Sequence, residues 1–318
     1  MKRETIEQYL IQNGIVMQKI KAIQGKALNT NYVLEDIQGR KYFLKRYSRT
    51  VSEKYIEKMK IITDYLDEKG ISVPKIISTE HIFCDKYSFY LLMQYLKNDP
   101  KISKHNNLKK ICEEINKMRD ILKQSVEVVD TWMLTIHNID KIVDIYKLNY
   151  GKKEELENLL GNIISFPIKE ILNFLFIHSK VLDNKEMQLV HGDLNKNNIL
   201  LNYDGKISFV DFDTLHLGIK YEDTATFALS MCFDETKNRF IIENFDTILL
   251  YLEGEKSEKK VKDILNIMML ELIKDLAVYL ENWKVYLRFP VSKKIVVNQL
   301  KLLNYLLINK ETIIEKLW

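Results

Sequence analysis

The pattern of apolar residues changes character once along the chain, at "KNDP" (97–100), and that change limits the folds open to it. Before the break, short β-prone runs dominate. "IVMQKIKAI" (15–23) is followed by "NYVLEDIQGRKYFLKRYS" (31–48), in which Gly39 marks a hairpin turn between two arms. One helix interrupts them: "SEKYIEKMKIITDYLDEK" (52–69) opens on a Ser cap, carries Ile56, Met59, Ile62 and Leu66 at helical spacing, and stops at Gly70. "VPKIIS" (73–78) and "SFYLLMQYL" (88–96) read as two further strands. After the break, amphipathic helices are expected over about 106–124, 138–148, 152–163, 167–182, 222–232, 236–252, 257–288 and 293–316. The expectation is an α+β chain with a small β-rich lobe, residues 1–96, and a large helical lobe, residues 97–318.

Composition agrees with long helices. Only 10 Gly and 4 Pro occur in 318 residues. With 46% hydrophobic and 29% charged residues, the chain has the profile of a globular protein rather than a disordered one. The formal charge of +4 comes from lysines spread along the whole length. No compact basic block points to a nucleic acid, and no uninterrupted apolar stretch reaches membrane-spanning length. Cys84, Cys112 and Cys232 are far apart and lack metal-type spacing, so they read as reduced core thiols of a cytoplasmic protein. Charged "KRETIEQ" after Met1 is unlike a signal segment.

One stretch in the helical half does not suit a helix. "LVHGDLNKNNILLNYDGKISFVDFD" (189–213) gathers His, Asn and Asp around two short apolar runs. "ILLN" and "ISFV" can pair around the turn "YDG", bringing together the residues that flank the hairpin. Asn198 precedes it and Asp211 follows it, so both can face one point. Two oxygen ligands there suit Mg²⁺, which takes few protein ligands and keeps its waters and phosphates. Asp193, on the preceding loop, can accept a proton from an incoming hydroxyl. A loop Asp as base, with Asn and a second Asp on metal, is the logic of phosphoryl transfer. The competing reading is an ordinary loop, rich in Asn and Asp because such residues favour turns.

The stretch resembles the aminoglycoside phosphotransferase and choline kinase-like family of small-molecule kinases, which writes "HGDxxxxN" and an Asp at the end of the next strand. Within that family it looks most like bacterial spore-coat-associated, CotS-like members, on the strength of the helical insert before the motif and the "DFD" ending. The resemblance spans about residues 15–230. It implies a protein-kinase-like two-lobe fold, ATP or another nucleoside triphosphate, Mg²⁺, and a small hydroxylated acceptor, with no nucleic-acid or membrane partner. Lys45 in "KYFLKRYS" would hold the phosphates, with Lys41 and Arg46 as solvated alternatives. Glu57 is the first choice for its carboxylate partner and Glu53 the second. "QGKALNTNY" (24–32), ending at Asn31, would cover the phosphates. In "YLLMQYL", Met93 would back the adenine, and the backbone of Gln94 and Leu96 would bond its edge. Asp223, in an acidic pair opening a helix, would steady the catalytic loop. His191 is expected to pack or bond that loop, and the other five His show no partner in the sequence.

Two departures stand out if "YLLMQYL" is the family's hinge: the helix after it, "KKICEEINKMRDIL", has no His, and "LKNDPK", just after it, has no Gly. Lys45, Asp193, Asn198 and Asp211 are all present, which favours an active enzyme over a coat or scaffold protein on a kinase fold. The absence of an Arg in the "HGD" loop argues against a protein kinase. A cationic acceptor would need acids facing Asp193, and Glu113, Glu114, Glu154, Glu155 and Glu281 are available.

Overall fold

The computed structural model describes residues 3–24, 30–48, 51–77, 83–84, 88–125, 133–178 and 186–318. The chain forms two compact units. The first comprises Met1–Ile102, Ser125–Trp132 and the hairpin Ile199–Val210; the second comprises Ser103–Gln124, Met133–Asn198 and Asp211–Trp318.

The first unit opens with a helix that the sequence reading did not anticipate, α1 (Arg3–Gln12). Its Tyr9 and Leu10 are buried together with Ile15, Leu34, Leu44, Tyr90 and Leu92. Strands β1 (Met17–Gln24), β2 (Thr30–Asp36) and β3 (Lys41–Ser48) follow, with Gly39 at φ +75° in the expected hairpin turn. Asp36 closes that turn by accepting from the backbone N–H groups of Gln38 and Arg40 and from Arg40 Nε. Helix α2 (Glu53–Glu68) starts where the Ser52 side chain accepts from the Tyr55 N–H, and it buries Ile56, Met59, Ile62 and Leu66 as the spacing required. β4 (Phe83–Cys84) and β5 (Ser88–Gln94) complete an antiparallel sheet ordered β1-β2-β3-β5-β4.

The strand expected at 73–78 is not formed within its described residues, 73–77. Ile76 makes only an isolated bridge to Met93. Pro74 lacks the N–H that a ladder needs, and the segment bonds β5 only through Ile77 N–H to Leu92 O and Gln94 N–H to Lys75 O.

In the second unit, α3 (Leu108–Lys123), α4 (Ile139–Asn149), α5 (Lys153–Leu159) and α6 (Ile168–His178) precede β6 (Met187–Val190). The hairpin strands β7 (Ile199–Leu201) and β8 (Ile207–Phe209) come next, and β9 (His216–Ile219) pairs back antiparallel on β6. Helix α7 (Glu222–Met231) leads to a two-stranded ladder of β10 (Phe233–Asp234) and β11 (Arg239–Phe240), which occupies the beginning of the helix expected at 236–252. What remains of that helix is α8 (Ile242–Glu253). Helix α9 (Glu258–Glu281) buries residues on most of its circumference, as befits a central helix packed by α4, α7 and α11. The single helix expected over 257–288 breaks at Asn282 into α9 and the short α10 (Trp283–Tyr286). Helix α11 (Pro290–Glu315) starts on Pro, whose fixed φ suits a first turn. No helix among the described residues is long and apolar enough to cross a membrane.

Candidate active site

The loop between β6 and β7 is fixed by its own sequence. Gly192 sits at φ +77°, and a Cβ there would collide with Thr214 O and the His216 ring, so only glycine fits. The N–H groups of His191 and Gly192 donate to the two oxygens of Asp223 at 3.1 and 3.0 Å. Asp223 is fully buried in the first turn of α7, where the helix dipole favours a negative charge. The support expected from this acid is therefore a pair of charge-assisted bonds to the two residues before Asp193. His191 is itself fully buried. Its carbonyl accepts from Thr214 Oγ1 at 2.9 Å, and its ring lies 4.6 Å from that of Phe212. Its Nδ1 also accepts from the Asp193 N–H at 3.4 Å, so it both packs against and bonds the loop.

Beyond this anchor the chain presents Asp193. Asn195 Nδ2 donates to its Oδ1 at 2.7 Å, and Asn198 Nδ2 donates to its Oδ2 at 3.0 Å and to its backbone carbonyl at 2.8 Å. Both carboxylate oxygens are thus aimed by neighbouring amides. Burial, with the charge of Asp211 adding to it, pushes the Asp193 carboxyl up to about 6, against the pull of Asn195. Asp193, Asn198 and Asp211 therefore form one cluster, within the second unit.

Hairpin β7–β8 forms as the sequence suggested, pairing Ile199 with Phe209 and Leu201 with Ile207 around Gly205 at φ +74°. It is bonded within the first unit through Asp99 N–H to Leu201 O at 2.7 Å and Phe209 N–H to Ser72 O at 2.9 Å. Asp211 lies just past the hairpin with φ +70° and ψ +60°, a left-handed backbone that costs a non-glycine residue about 1 kcal/mol or more. Asn198 is buried, and its Nδ2 bonds leave its amide oxygen as the atom able to reach a cation. An amide oxygen and a carboxylate are the donors a hard cation takes, and a divalent ion here would offset the repulsion that raises Asp193. The residues fit Mg²⁺.

In the first unit, Lys45 is buried on β3, directly across from Asn31 on β2 and Leu91 on β5. Its ammonium lies 5.5 Å from the ring centroid of Tyr47, two residues along on the same face. Asn31 Oδ1 is buried and accepts no hydrogen bond among the described residues. The alternative Lys41 is exposed, over the Tyr95 ring. Glu57 and Glu53 are both exposed on α2, and neither makes an ion pair among the described residues. Met93 is buried on β5. The Gln94 N–H donates to Lys75 O, so of the expected backbone donors it is already engaged, and Leu96 is half-buried. Residues 25–29 of the expected phosphate-covering turn lie outside the described residues.

The acids nominated for an acceptor pocket are mostly engaged at the surface. Glu114 pairs with Lys117, Glu155 with Lys284 and Glu281 with Lys141. Besides Asp211 and Asn195, the groups that act on Asp193 come from α9, as Asp275 and Lys274. Two histidines without apparent partners in the sequence, His137 and His216, meet at Glu222. His137 Nε2 lies 3.2 Å from Oε2 and His216 Nε2 lies 2.7 Å from Oε1. Burial would raise the Glu222 carboxyl, but the two imidazoles hold it down at about 2. Only the acid opening α7 hinted at this cluster, because its members are distant in sequence.

A profile of the phosphotransferase enzyme family matches residues 19–127 and 144–247, about two thirds of the chain. The chain belongs to the phosphotransferase enzyme family. The match takes in Lys45, residues 90–96, the loop bearing Asp193, and Asp223. No curated protein sequence matches the chain significantly. Among solved structures, the fold is shared with an amicoumacin kinase in complex with AMP-PNP, Ca²⁺ and Ami, at 16% identity and a TM-score of 0.65, covering 99% of this chain and 96% of that one. It is shared with a choline kinase from Streptococcus pneumoniae, at 14% identity and 0.63, covering 96% and 98%. It is also shared with an ethanolamine kinase from Plasmodium vivax, at 14% identity and 0.63, covering 99% and 86%. At such identities the likeness is one of fold: the expected kinase-like architecture, a small antiparallel sheet followed by a mostly helical remainder. The spore-coat likeness has no counterpart among these three.

Proposed function

We propose that this protein transfers the γ-phosphoryl group of ATP, with Mg²⁺, to a hydroxyl of a small molecule. The observation that carries the reading is the state of Asp193. Its two oxygens are aimed by Asn195 and Asn198, its carboxyl is pushed up to about 6 by burial and Asp211, and its loop is anchored on Asp223. A carboxylate made more basic by burial, and aimed by two amides, is suited to accept a proton from an acceptor hydroxyl. Asn198 and Asp211 would hold the metal, which supplies neutralisation of charge on the phosphates when bound. Lys45 would hold the α- and β-phosphates, with Asn31 beside it and Glu57 as carboxylate partner. Met93, Gln94 and Leu96 would line the adenine site.

The small acceptor is supported by the molecules named for the structural neighbours: amicoumacin, choline and ethanolamine. Phosphoryl transfer leaves the protein little covalent work, so acceptor choice rests on how one hydroxyl is positioned at Asp193. The test is ATP consumption with Mg²⁺ over a panel of amino alcohols, sugars, aminoglycosides and other hydroxylated antibiotics. Turnover that depends on one chemical class supports the proposal. Label from ATP appearing only on polypeptides, or nucleotide bound with no acceptor labelled from a cell extract, counts against it. The second outcome would favour a binding or scaffold role.

A further inference from the structure

We propose that His137, His216 and Glu222 form a second metal site, for a transition-metal ion of the zinc type, behind the catalytic loop and separate from the Mg²⁺ ligands. Their ligand atoms all lie within 4.8 Å of one another. Two imidazoles and a carboxylate are a zinc donor set, whereas Mg²⁺ prefers oxygen alone. The two rings stand edge to face with centroids 6.0 Å apart, near the ~5 Å that two imidazoles on one tetrahedral ion require.

The orientation of His216 gives a stronger argument. Its Nδ1 lies 2.7 Å from Thr214 O. A carbonyl can only accept, so Nδ1 carries the proton and Nε2 is left to face Glu222. Metal-binding histidines are commonly held this way, with the second ring nitrogen on a backbone carbonyl. Nε2 is buried and 2.7 Å from Glu222 Oε1, so the ring nitrogen and the carboxylate that a cation would join already face each other. The pocket is otherwise prepared. Ile219 N–H donates to Glu222 Oε2 at 3.3 Å, and a Cβ on Gly218 would come within 2.6 Å of the same oxygen and 3.1 Å of His216 Nε2. Nearby on α9, the buried Glu271 has an oxygen, Oε1, with no hydrogen-bond partner, and burial, with the charge of Glu222 adding to it against the pull of Lys274, pushes its carboxyl up to about 8.

The ion would have a structural task. Thr214 bonds His216 through its carbonyl and His191 through its hydroxyl, so an ion on His216 would brace β9 and α7 against the loop that carries Asp193. The site does not depend on nucleotide and stands apart from the proposed transfer reaction.

The test uses untagged full-length protein, stripped with chelator and titrated with Co²⁺ and then Zn²⁺ in the presence of excess Mg²⁺. The expected result is one equivalent of Co²⁺ with visible d–d bands, displaced by Zn²⁺. Free Zn²⁺ at a hundred times its Kd should raise Tm by about 5 °C. His137→Gln, at a partly exposed position that the fold tolerates, should lose the bands and the Tm shift while keeping the native circular dichroism. Asp211→Asn should keep both. Absence of stoichiometric Co²⁺ and Zn²⁺ binding to the native chain would overturn the proposal. So would bands that survive His137→Gln but vanish in Asp211→Asn.

Discussion

Removing the Asp223 carboxylate should loosen the catalytic loop by an amount the structure allows to be worked out. Its two oxygens each take one backbone N–H, from His191 and Gly192, in a site closed to water. Asn at this position offers one oxygen. One N–H keeps a partner but loses the charge, at about 1 kcal/mol, and the other faces an amide NH₂ and is left buried and unsatisfied, at about 1–3 kcal/mol. Asp223→Asn should therefore destabilise the protein by about 2–4 kcal/mol, and Asp223→Ala, which strands both donors, by somewhat more. The assay is urea unfolding followed by fluorescence and circular dichroism, with Mg-ATP affinity and turnover measured on the folded variants. The midpoint should fall in the order wild type, Asn, Ala, with little change in slope. Turnover should fall more than nucleotide affinity, because the strained element is the loop bearing Asp193. A midpoint for Asp223→Asn within about 0.5 kcal/mol of wild type would refute the reasoning.

Other outcomes follow from the same geometry. Asp211→Asn should weaken Mg-ATP binding and turnover together, measurable by calorimetry and a coupled assay; unchanged values for both would remove Asp211 from the metal site. Lys45→Ala should lower turnover far more than Lys41→Ala, since Lys45 is buried in the sheet and Lys41 is exposed. Glu57→Gln should reproduce part of the Lys45 defect, and a larger effect from Glu53→Gln would move the partner one turn along α2. Burial pushes the Cys112 thiol up to about 12 and raises that of Cys232 too, so a thiol reagent should modify at most one of the three cysteines in the native protein and all three in urea. Two fast-reacting thiols without urea would contradict the core placement of these residues.

What could be read from the sequence was local. The β7–β8 hairpin was legible because its strands, turn glycine and flanking Asn198 and Asp211 are all close neighbours. Helix α2 was legible because Ser52 caps it and its apolar spacing is regular. Asp223 was legible as an acid opening a helix, though its bonds to His191 and Gly192 were not. The misses have physical causes. Pro74 removed a donor from a segment that otherwise reads as strand, and the break at Asn282 lies inside an apolar pattern that runs on through it. Pairing of β6 with β9, and the meeting of His137 and His216 at Glu222, depend on contacts between distant segments that no short window contains. Glu155 and Glu281 pair with Lys284 and Lys141, which lie far from them in the sequence.

The central claim, that Asp193 is the base of a phosphoryl transfer, is tested most directly by measuring Mg-ATP affinity and turnover side by side in Asp193→Asn, using an acceptor identified from the panel. Asn is the same size and can still accept a bond from Asn195 or Asn198, so the loop should hold, but it cannot take a proton. The account predicts nucleotide affinity close to wild type and turnover lower by roughly 10²–10⁴-fold. A folded Asp193→Asn variant that turns over at the wild-type rate, or that loses nucleotide binding, would contradict it.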